Sequence, residues 1–509
     1  MADEIRLGTA ALRRDEVLAV VRGGARVTLD PVAEKRIDIA RRHVDALAHS
    51  DRPTYGVSTG FGALAVRHIP PERRADLQRS LIRSHAAGAG PMVEPEVVRA
   101  LMLLRLRTLA AGHSGVRPVT AATLAAVINA GIVPVVREYG SLGCSGDLAP
   151  LASVALALMG EGEVIDPAGE LVPAAEALRR AGIEPVVLAE KEGLALTNGT
   201  DGMLGMLVLA AADLHTLLDT ADLTAAMSVE ALLGTDRAFA ADLQTLRPHP
   251  GQAESARRMW LALADSPIVA SHRGPDDTRV QDAYSLRCAP QVHGAARDTL
   301  GYAETVADRE LASAIDNPLV LDDGRVESNG NFHGAPLAYV LDFLAIPVAD
   351  VASIAERRTD RMLDVARSHG LPAFLAEDPG VDSGHMIAQY TQAAIVSELK
   401  RLAVPASVDS IPSSAMQEDH VSMGWSAARK LRRGIAGLTT VLAIELLTAA
   451  RALDLRAPLR PAPVTGAVRD LLRTRVDGPG PDRHLAPEIA AAEELVATGA
   501  VLDAVRGFA

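Results

Sequence analysis

Residues 203–234 read MLGMLVLAAADLHTLLDTADLTAAMSVEALLG, and apolar side chains recur in them at spacings of three and four. That period belongs to an amphipathic or buried helix. Residues 425–453 repeat the pattern, and both segments are long for a globular helix, as helices of a bundle are. Shorter segments with the same period cover 96–112, 336–369 and 385–404. Ala, Leu, Glu and Arg dominate the chain, all good helix formers, and Val-rich alternation is scarce. The run Asn198-Gly199-Thr200-Asp201 offers a cap-like start to the first long helix. Pro458, Pro461 and Pro463 lie just past the last one, where they stop it and open a C-terminal helical tail. The expected fold is therefore mainly α, a long central helix bundle with a loop-rich N-terminal region. Its expected divisions are 1–200, 201–455 and 456–509.

The chain has 509 residues, 48% of them hydrophobic, which excludes a disordered polymer and allows a large core. Lys plus Arg is 51 and Asp plus Glu is 64, a net charge of 51 − 64 = −13. An acidic balance disfavours nonspecific nucleic-acid binding, which needs a basic face. A small zwitterionic substrate remains compatible, because a local Arg acts against a negative background. Cys144 and Cys288 make no disulfide framework, and reduced thiols suit a cytosolic protein. Residues 1–17 carry early acids and no apolar h-region. Uninterrupted apolar stretches such as 203–212 fall short of the roughly 18–20 residues that cross a bilayer. The expectation is a soluble, cytoplasmic protein without membrane or nucleic-acid partners.

Between the helical segments lie loops of unusual composition: YGVSTGFG (55–62), GSLGCSGD (140–147), TNGT (197–200), QDAYSLR (281–287), NGNFH (329–333) and QEDH (417–420). Loops on a rigid scaffold are where chemistry usually sits. The glycines of 140–146 fit neither the Walker nor the dinucleotide fingerprint, and no His-Glu-x-x-His or Cys-x-x-Cys metal motif occurs.

The Cys144-Ser145-Gly146 triad is the most informative of these. Gly has no Cβ to block a bent approach, so the Gly146 amide nitrogen can attack the Cys144 carbonyl carbon. Loss of one water closes a five-membered ring, and loss of a second from Ser145 leaves an exocyclic methylene. The product is a 4-methylidene-imidazol-5-one, an electrophile made from the chain with no added cofactor and no metal. On spacing alone, a tight turn capping the helix from Leu148 is the commoner use of such a loop.

The segment GSLGCSGDLAPL (140–151) resembles the signature of the aromatic amino acid ammonia-lyases, in which this ring forms. The other loops match that family in order, from Tyr55 to Met423. The resemblance implies a fold of the fumarase/aspartase-like superfamily. It also implies a homotetramer whose active sites draw residues from more than one subunit. The chemistry it implies has a physical logic. A β-proton is weakly acidic and an amine leaves poorly, so an electrophile that captures the amine makes elimination feasible. A phenol, with an ordinary pKa near 10, acts as a base only if its anion is stabilised. The resemblance places Tyr55 and Tyr284 in the site, with Tyr284 as the expected β-proton base and Tyr55 orienting or deprotonating the amine. It gives Asn198 as a donor to the ring carbonyl. Arg287 offers a planar fork for the substrate carboxylate. Gln281 and Asn317 are polar positioning candidates, and Phe332 packs against the electrophile or the substrate ring.

Two places bear on the substrate. Ser84-His85 and Gln417-Glu418-Asp419-His420 resemble the family branch that converts L-histidine to trans-urocanate, opening histidine degradation. A carboxylate at Glu418 accepts an imidazole N–H, and His85 partners the other nitrogen. Facing a phenyl ring, the same carboxylate is buried without a partner, which costs several kcal/mol. Phenylalanine and tyrosine lyases or aminomutases of the same family are the alternatives. Two readings from other classes are a pyridoxal-phosphate lyase with Lys191 as Schiff base and a helical assembly protein that forms no electrophile. Three positions depart from the family pattern: Cys144 where Ala is commoner, Ser153 where many members have His, and His385 at a usually apolar position.

Overall fold

The computed structural model describes residues 4–49, 54, 56–60, 66–274, 277 and 280–508. Helices dominate it, and the long ones are Asp201–Ala231, Ala289–Leu311, Ala335–Leu363 and Gly424–Asp454. Strands form only small sheets, such as the parallel pair Glu4–Leu7 with Arg26–Leu29 and the hairpin Leu319–Val320 with Val326–Glu327. Two compact units emerge. The first comprises residues 1–209, 304–342 and 405–429; the second comprises 210–303, 343–404 and 430–509.

The helix expected from residue 203 starts at Asp201, but its cap is not the local one. The Asp147 carboxylate, from the loop after Gly146, accepts the N–H groups of Gly202 and Met203 at 2.9 and 3.0 Å. The residues of the expected cap are otherwise engaged. Asp201 pairs with Arg105, Thr200 donates to Glu310 at 2.6 Å, and Asn198 donates to the Asn317 carbonyl at 2.9 Å. A distant carboxylate thus satisfies donors that a helix start leaves open. The helix expected to reach 369 ends at Leu363. There the Asp364 carbonyl accepts from Arg367 and Ser368, and its carboxylate accepts from Ala366, so the chain turns. Pro463 opens the helix Pro463–Arg473 as expected.

The expectation that no segment could cross a bilayer needs correction. Three helices, Asp201–Ala231, Ala335–Leu363 and Gly424–Asp454, are long and apolar enough by length and composition. Counting uninterrupted apolar runs stops at every Asp, His or Thr, whereas a helix averages over them. Most of each apolar window, 78%, 61% and 78%, is covered by protein. In the second unit these helices are tied together by one buried carboxylate. Glu445 accepts from Thr224 and Ser228, each at 2.8 Å, and from the Arg358 guanidinium at 3.0 Å. Arg358 and Glu445 are both fully buried. Nearby, Asp222 takes His293 at 2.8 Å and Arg297 at 2.6 Å.

Removing one partner of a buried ion pair strands the other, at about 3–5 kcal/mol. Arg358→Met is therefore expected to lower the thermal unfolding temperature clearly, and Arg358→Met with Glu445→Leu to recover much of the loss. Differential scanning calorimetry on the three proteins checks this.

Candidate active site

The first unit carries a cavity of about 780 Å³ lined by Cys144, Ser145, Asn317, Phe332 and Glu418, together with Asn329, His333 and His420. Five of the residues expected from sequence thus meet at one place. The reason lies in the local folds that deliver them. The Cys144–Gly146 loop precedes the helix Leu148–Leu158, and its Gly146 forms a bridge with Gly199. The Asp147 N–H donates to the Gly199 carbonyl at 2.7 Å. The 328–333 loop follows the Leu319–Val320 hairpin and is held by Asn317, whose side-chain oxygen accepts from Ser328 and from the Asn329 N–H, both at 3.0 Å. Glu418 closes a small antiparallel bridge with Ser413.

Glu418 is the cavity's organising charge. Its Oε2 accepts from the Ser413 hydroxyl at 3.0 Å, and its Oε1 lies 3.5 Å from the Ser145 Oγ. Burial pushes the Cys144 thiol up to about 12, and the adjoining Glu418 carboxylate pushes the same way. Cys144 is thus held as the neutral thiol. His85 closes the helix Arg74–His85, with the Ser84 hydroxyl 3.1 Å from its Nδ1. Burial lowers its pKa, and the field of Glu418 opposes that shift. His85 therefore stands within reach of the Glu418 charge although it does not line the cavity.

Asn198 is buried and spends one amide N–H on the Asn317 carbonyl. Beneath Asn317, Asp316 is clamped between the Lys191 ammonium at 2.7 Å and the Asn317 N–H at 2.7 Å. Lys191, the Schiff-base candidate, is thus one half of a fully buried ion pair. Gln281, Tyr284 and Arg287 belong to the second unit, and none lines this cavity. There Tyr284 is 71% exposed, and the Arg287 guanidinium lies 4.7 Å from the centre of its ring. The Arg287 Nε has no hydrogen-bond partner among the described residues. Tyr55 lies outside the described residues.

The two other departures from the family pattern take structural places. The Ser153 hydroxyl donates to the Ala149 carbonyl within its own helix at 3.0 Å. His385 is buried in the second unit beside Thr448, and burial, then Arg451, Arg483 and Arg473, push it down to about 3. A second cavity of about 820 Å³ opens beside Trp260, and no residue expected from sequence lines it.

Sequence reasoning missed Asp147, Ser422 and the His333–His420 pair. The two imidazoles stack with centroids 5.7 Å apart and planes 3° from parallel. Asp147 stood inside a quoted motif and Ser422 two residues beyond one, but only the folded chain reveals what they hold.

The third residue of the triad is restricted to glycine. Gly146 has φ +85°, and a Cβ there would sit 2.0 Å from the Gly199 oxygen, so only glycine fits.

A mainly helical chain with a Ser-Gly loop beside a carboxylate in one cavity has the makings of a lyase that works on an amino acid. The family model for aromatic amino acid lyases matches residues 12–474, and the chain belongs to that family. A histidine ammonia-lyase of Streptomyces avermitilis is 65% identical over 499 residues, covering 98% of this chain and 97% of that one. The crystal structure of histidine ammonia-lyase from Trypanosoma cruzi superposes with a TM-score of 0.91 at 38% identity, covering 99% of this chain and 95% of that one. Tyrosine aminomutase from Streptomyces globisporus gives a TM-score of 0.93 at 37% identity, covering 99% and 98%.

Burial raises the Asp147 pKa to about 7 from 3.8; the Met203 and Gly202 N–H groups and the Ser141 hydroxyl counter it, while Asp201 adds to it. The folded chain then binds a proton more tightly than the unfolded one. Stability from this group is complete below about pH 4 and is lost as pH rises through about 7. Asp147→Asn is expected to flatten that part of the stability profile, as read by urea unfolding at stepped pH.

Proposed function

We propose that this chain is a histidine ammonia-lyase, removing ammonia from L-histidine without oxidation to give trans-urocanate. The observation that carries the reading is Glu418, a carboxylate beside Ser145 in the cavity whose charge also reaches His85. An imidazole gives that carboxylate an N–H to accept; a phenyl ring gives it nothing. A polar mismatch of this kind discriminates strongly between substrates. Two of the three proteins named above carry the same activity in their names.

The triad Cys144-Ser145-Gly146 is proposed to mature into 4-methylidene-imidazol-5-one, which supplies an electrophilic carbon that makes the amine a better leaving group. The chain's own residues do the rest. Glu418 and His85 hold the imidazole by its two nitrogens. Arg287 grips the substrate carboxylate with its planar fork. Tyr284 takes the β-proton, and Tyr55 orients or deprotonates the amine. Asn198 and Gln281 hold polar atoms in place, Asn317 shapes the loop it anchors, and Phe332 packs on the ring side of the cavity.

A homotetramer with shared sites fits this reading. Tyr284 is 71% exposed, which leaves it free for a neighbour's cavity. Tyr339, Phe343 and Ile346, spaced four and three apart on one helix, are 51%, 45% and 54% exposed, an apolar stripe suited to subunit packing. The acidic charge and free cysteines suit a soluble cytoplasmic enzyme.

An aminomutase is the second reading, favoured by the TM-score of 0.93 to a tyrosine aminomutase. It returns the amine to the β-carbon, so its product is a β-amino acid.

The purified chain is expected to raise ultraviolet absorbance with L-histidine and to leave L-tyrosine and L-phenylalanine unchanged. A β-amino acid product, or preferred turnover of phenylalanine, overturns the reading. Ser145→Ala is expected to abolish turnover and keep the far-ultraviolet circular dichroism. Glu418→Gln is expected to cut kcat/KM for histidine by about 100-fold or more; an unchanged value removes the imidazole assignment.

A further inference from the structure

The loop that carries the triad is pinned at both ends, and one of the pins is a side chain to which neither the family resemblance nor the proposed mechanism gives a role. On the N-terminal side, the Gly143 carbonyl accepts two donors: the Ser422 hydroxyl at 2.8 Å and the Gly334 N–H at 3.2 Å. The Leu142 carbonyl accepts the Met423 N–H at 2.8 Å. On the C-terminal side, Asp147 bonds to Gly199 through its N–H and to Gly202 and Met203 through its carboxylate. Ser141 ties the two ends together, accepting the Gly143 N–H at 3.2 Å and donating to Asp147 at 2.8 Å.

Ser422 is 3% exposed, and its oxygen also accepts the Gly424 N–H at 3.2 Å, so the hydroxyl proton is directed to Gly143. The fit is close enough to exclude any side chain at Gly143, where a Cβ would stand 2.2 Å from the Ser422 Oγ. Met423 adopts φ +52°, a left-handed conformation that a residue with a side chain rarely takes. The 422–424 segment thus accepts backbone strain while it grips the loop.

We propose that Ser422 is a positioning residue for ring formation: its hydroxyl fixes the peptide plane entering Cys144, so that the Gly146 nitrogen is held near the Cys144 carbonyl carbon. The inference rests on the maturation reading above. The step it serves is balanced without an oxidant. A bond forms between the Gly146 nitrogen and the Cys144 carbonyl carbon. The carbonyl oxygen leaves as water with the Gly146 and Ser145 amide protons, giving a carbon–nitrogen double bond. A second water takes the Ser145 Cα proton and hydroxyl, leaving the methylene. Three backbone units must be bent together before any bond forms, and pinning the loop ends meets that entropy cost in advance.

The test is the mass of tryptic peptide 138–179, followed over time after cell-free synthesis of the full chain. In the unsubstituted chain this peptide is expected to become lighter by two waters. In Ser422→Ala the lighter peptide is expected at least about tenfold more slowly, the worth of one buried hydrogen bond, with circular dichroism and melting temperature preserved. Ser422→Cys keeps the volume with a weak donor and is expected to be slowed as well, which keeps the test decisive if the alanine variant does not fold. Maturation of the folded variants at the unsubstituted rate overturns the role of Ser422 and leaves the ring reading standing. Full peptide mass in the unsubstituted, active chain overturns the ring reading and this inference together.

Discussion

The Asp147 carboxylate, buried and aimed at the first N–H groups of the Asp201 helix, is the contact on which the site depends. A helix start presents unsatisfied donors and a partial positive charge. Asp147 answers both and sits one residue after Gly146. Satisfying the helix therefore fixes the loop, since the backbone between them has no slack. The cost is visible in its raised pKa, because burial penalises the same charge that the helix start favours. A local cap would have satisfied the same donors without tying the helix start to the loop.

The rest of the site follows the same economy of buried polar groups. Lys191 with Asp316, and Arg105 with Asp201, are ion pairs in which both partners are nearly or fully buried. Such pairs are poor sources of stability, because desolvation offsets most of the attraction. What they contribute is direction. Asp316 can satisfy Lys191 and the Asn317 N–H at once in only one orientation, and Asn317 then sets the loop that lines the cavity. The Glu418 carboxylate has a different character. Its neighbours are hydroxyls and a neutral thiol, so its charge is left for a ligand to neutralise. That contrast separates the ion pairs that build the cavity wall from a carboxylate that faces the cavity itself.

The division between sequence and tertiary structure runs along chemical lines. The helices were legible because apolar spacing is a local property: 203–234 and 425–453 became Asp201–Ala231 and Gly424–Asp454 with ends within three residues. The helix expected to 369 stopped six residues early, at Leu363, because Asp364 folds its own carboxylate and carbonyl back on the chain. Cys144, Ser145, Asn317, Phe332 and Glu418 could be nominated from motifs, since their chemistry is carried by residue type and neighbours.

What no motif could supply is which distant groups meet. The cap of the Asp201 helix comes from residue 147, and the grip on Gly143 from residue 422; both are contacts across long stretches of chain. The sequence by itself determined the helical period and nominated the Cys144-Ser145-Gly146 triad and the Glu418 carboxylate, because each is written in consecutive residues. Only the tertiary structure decided that Asp147 serves another helix, that Lys191 is consumed in an ion pair, and that the triad is held at both ends. Those outcomes depend on which buried polar groups find partners, and partners are chosen by proximity in space.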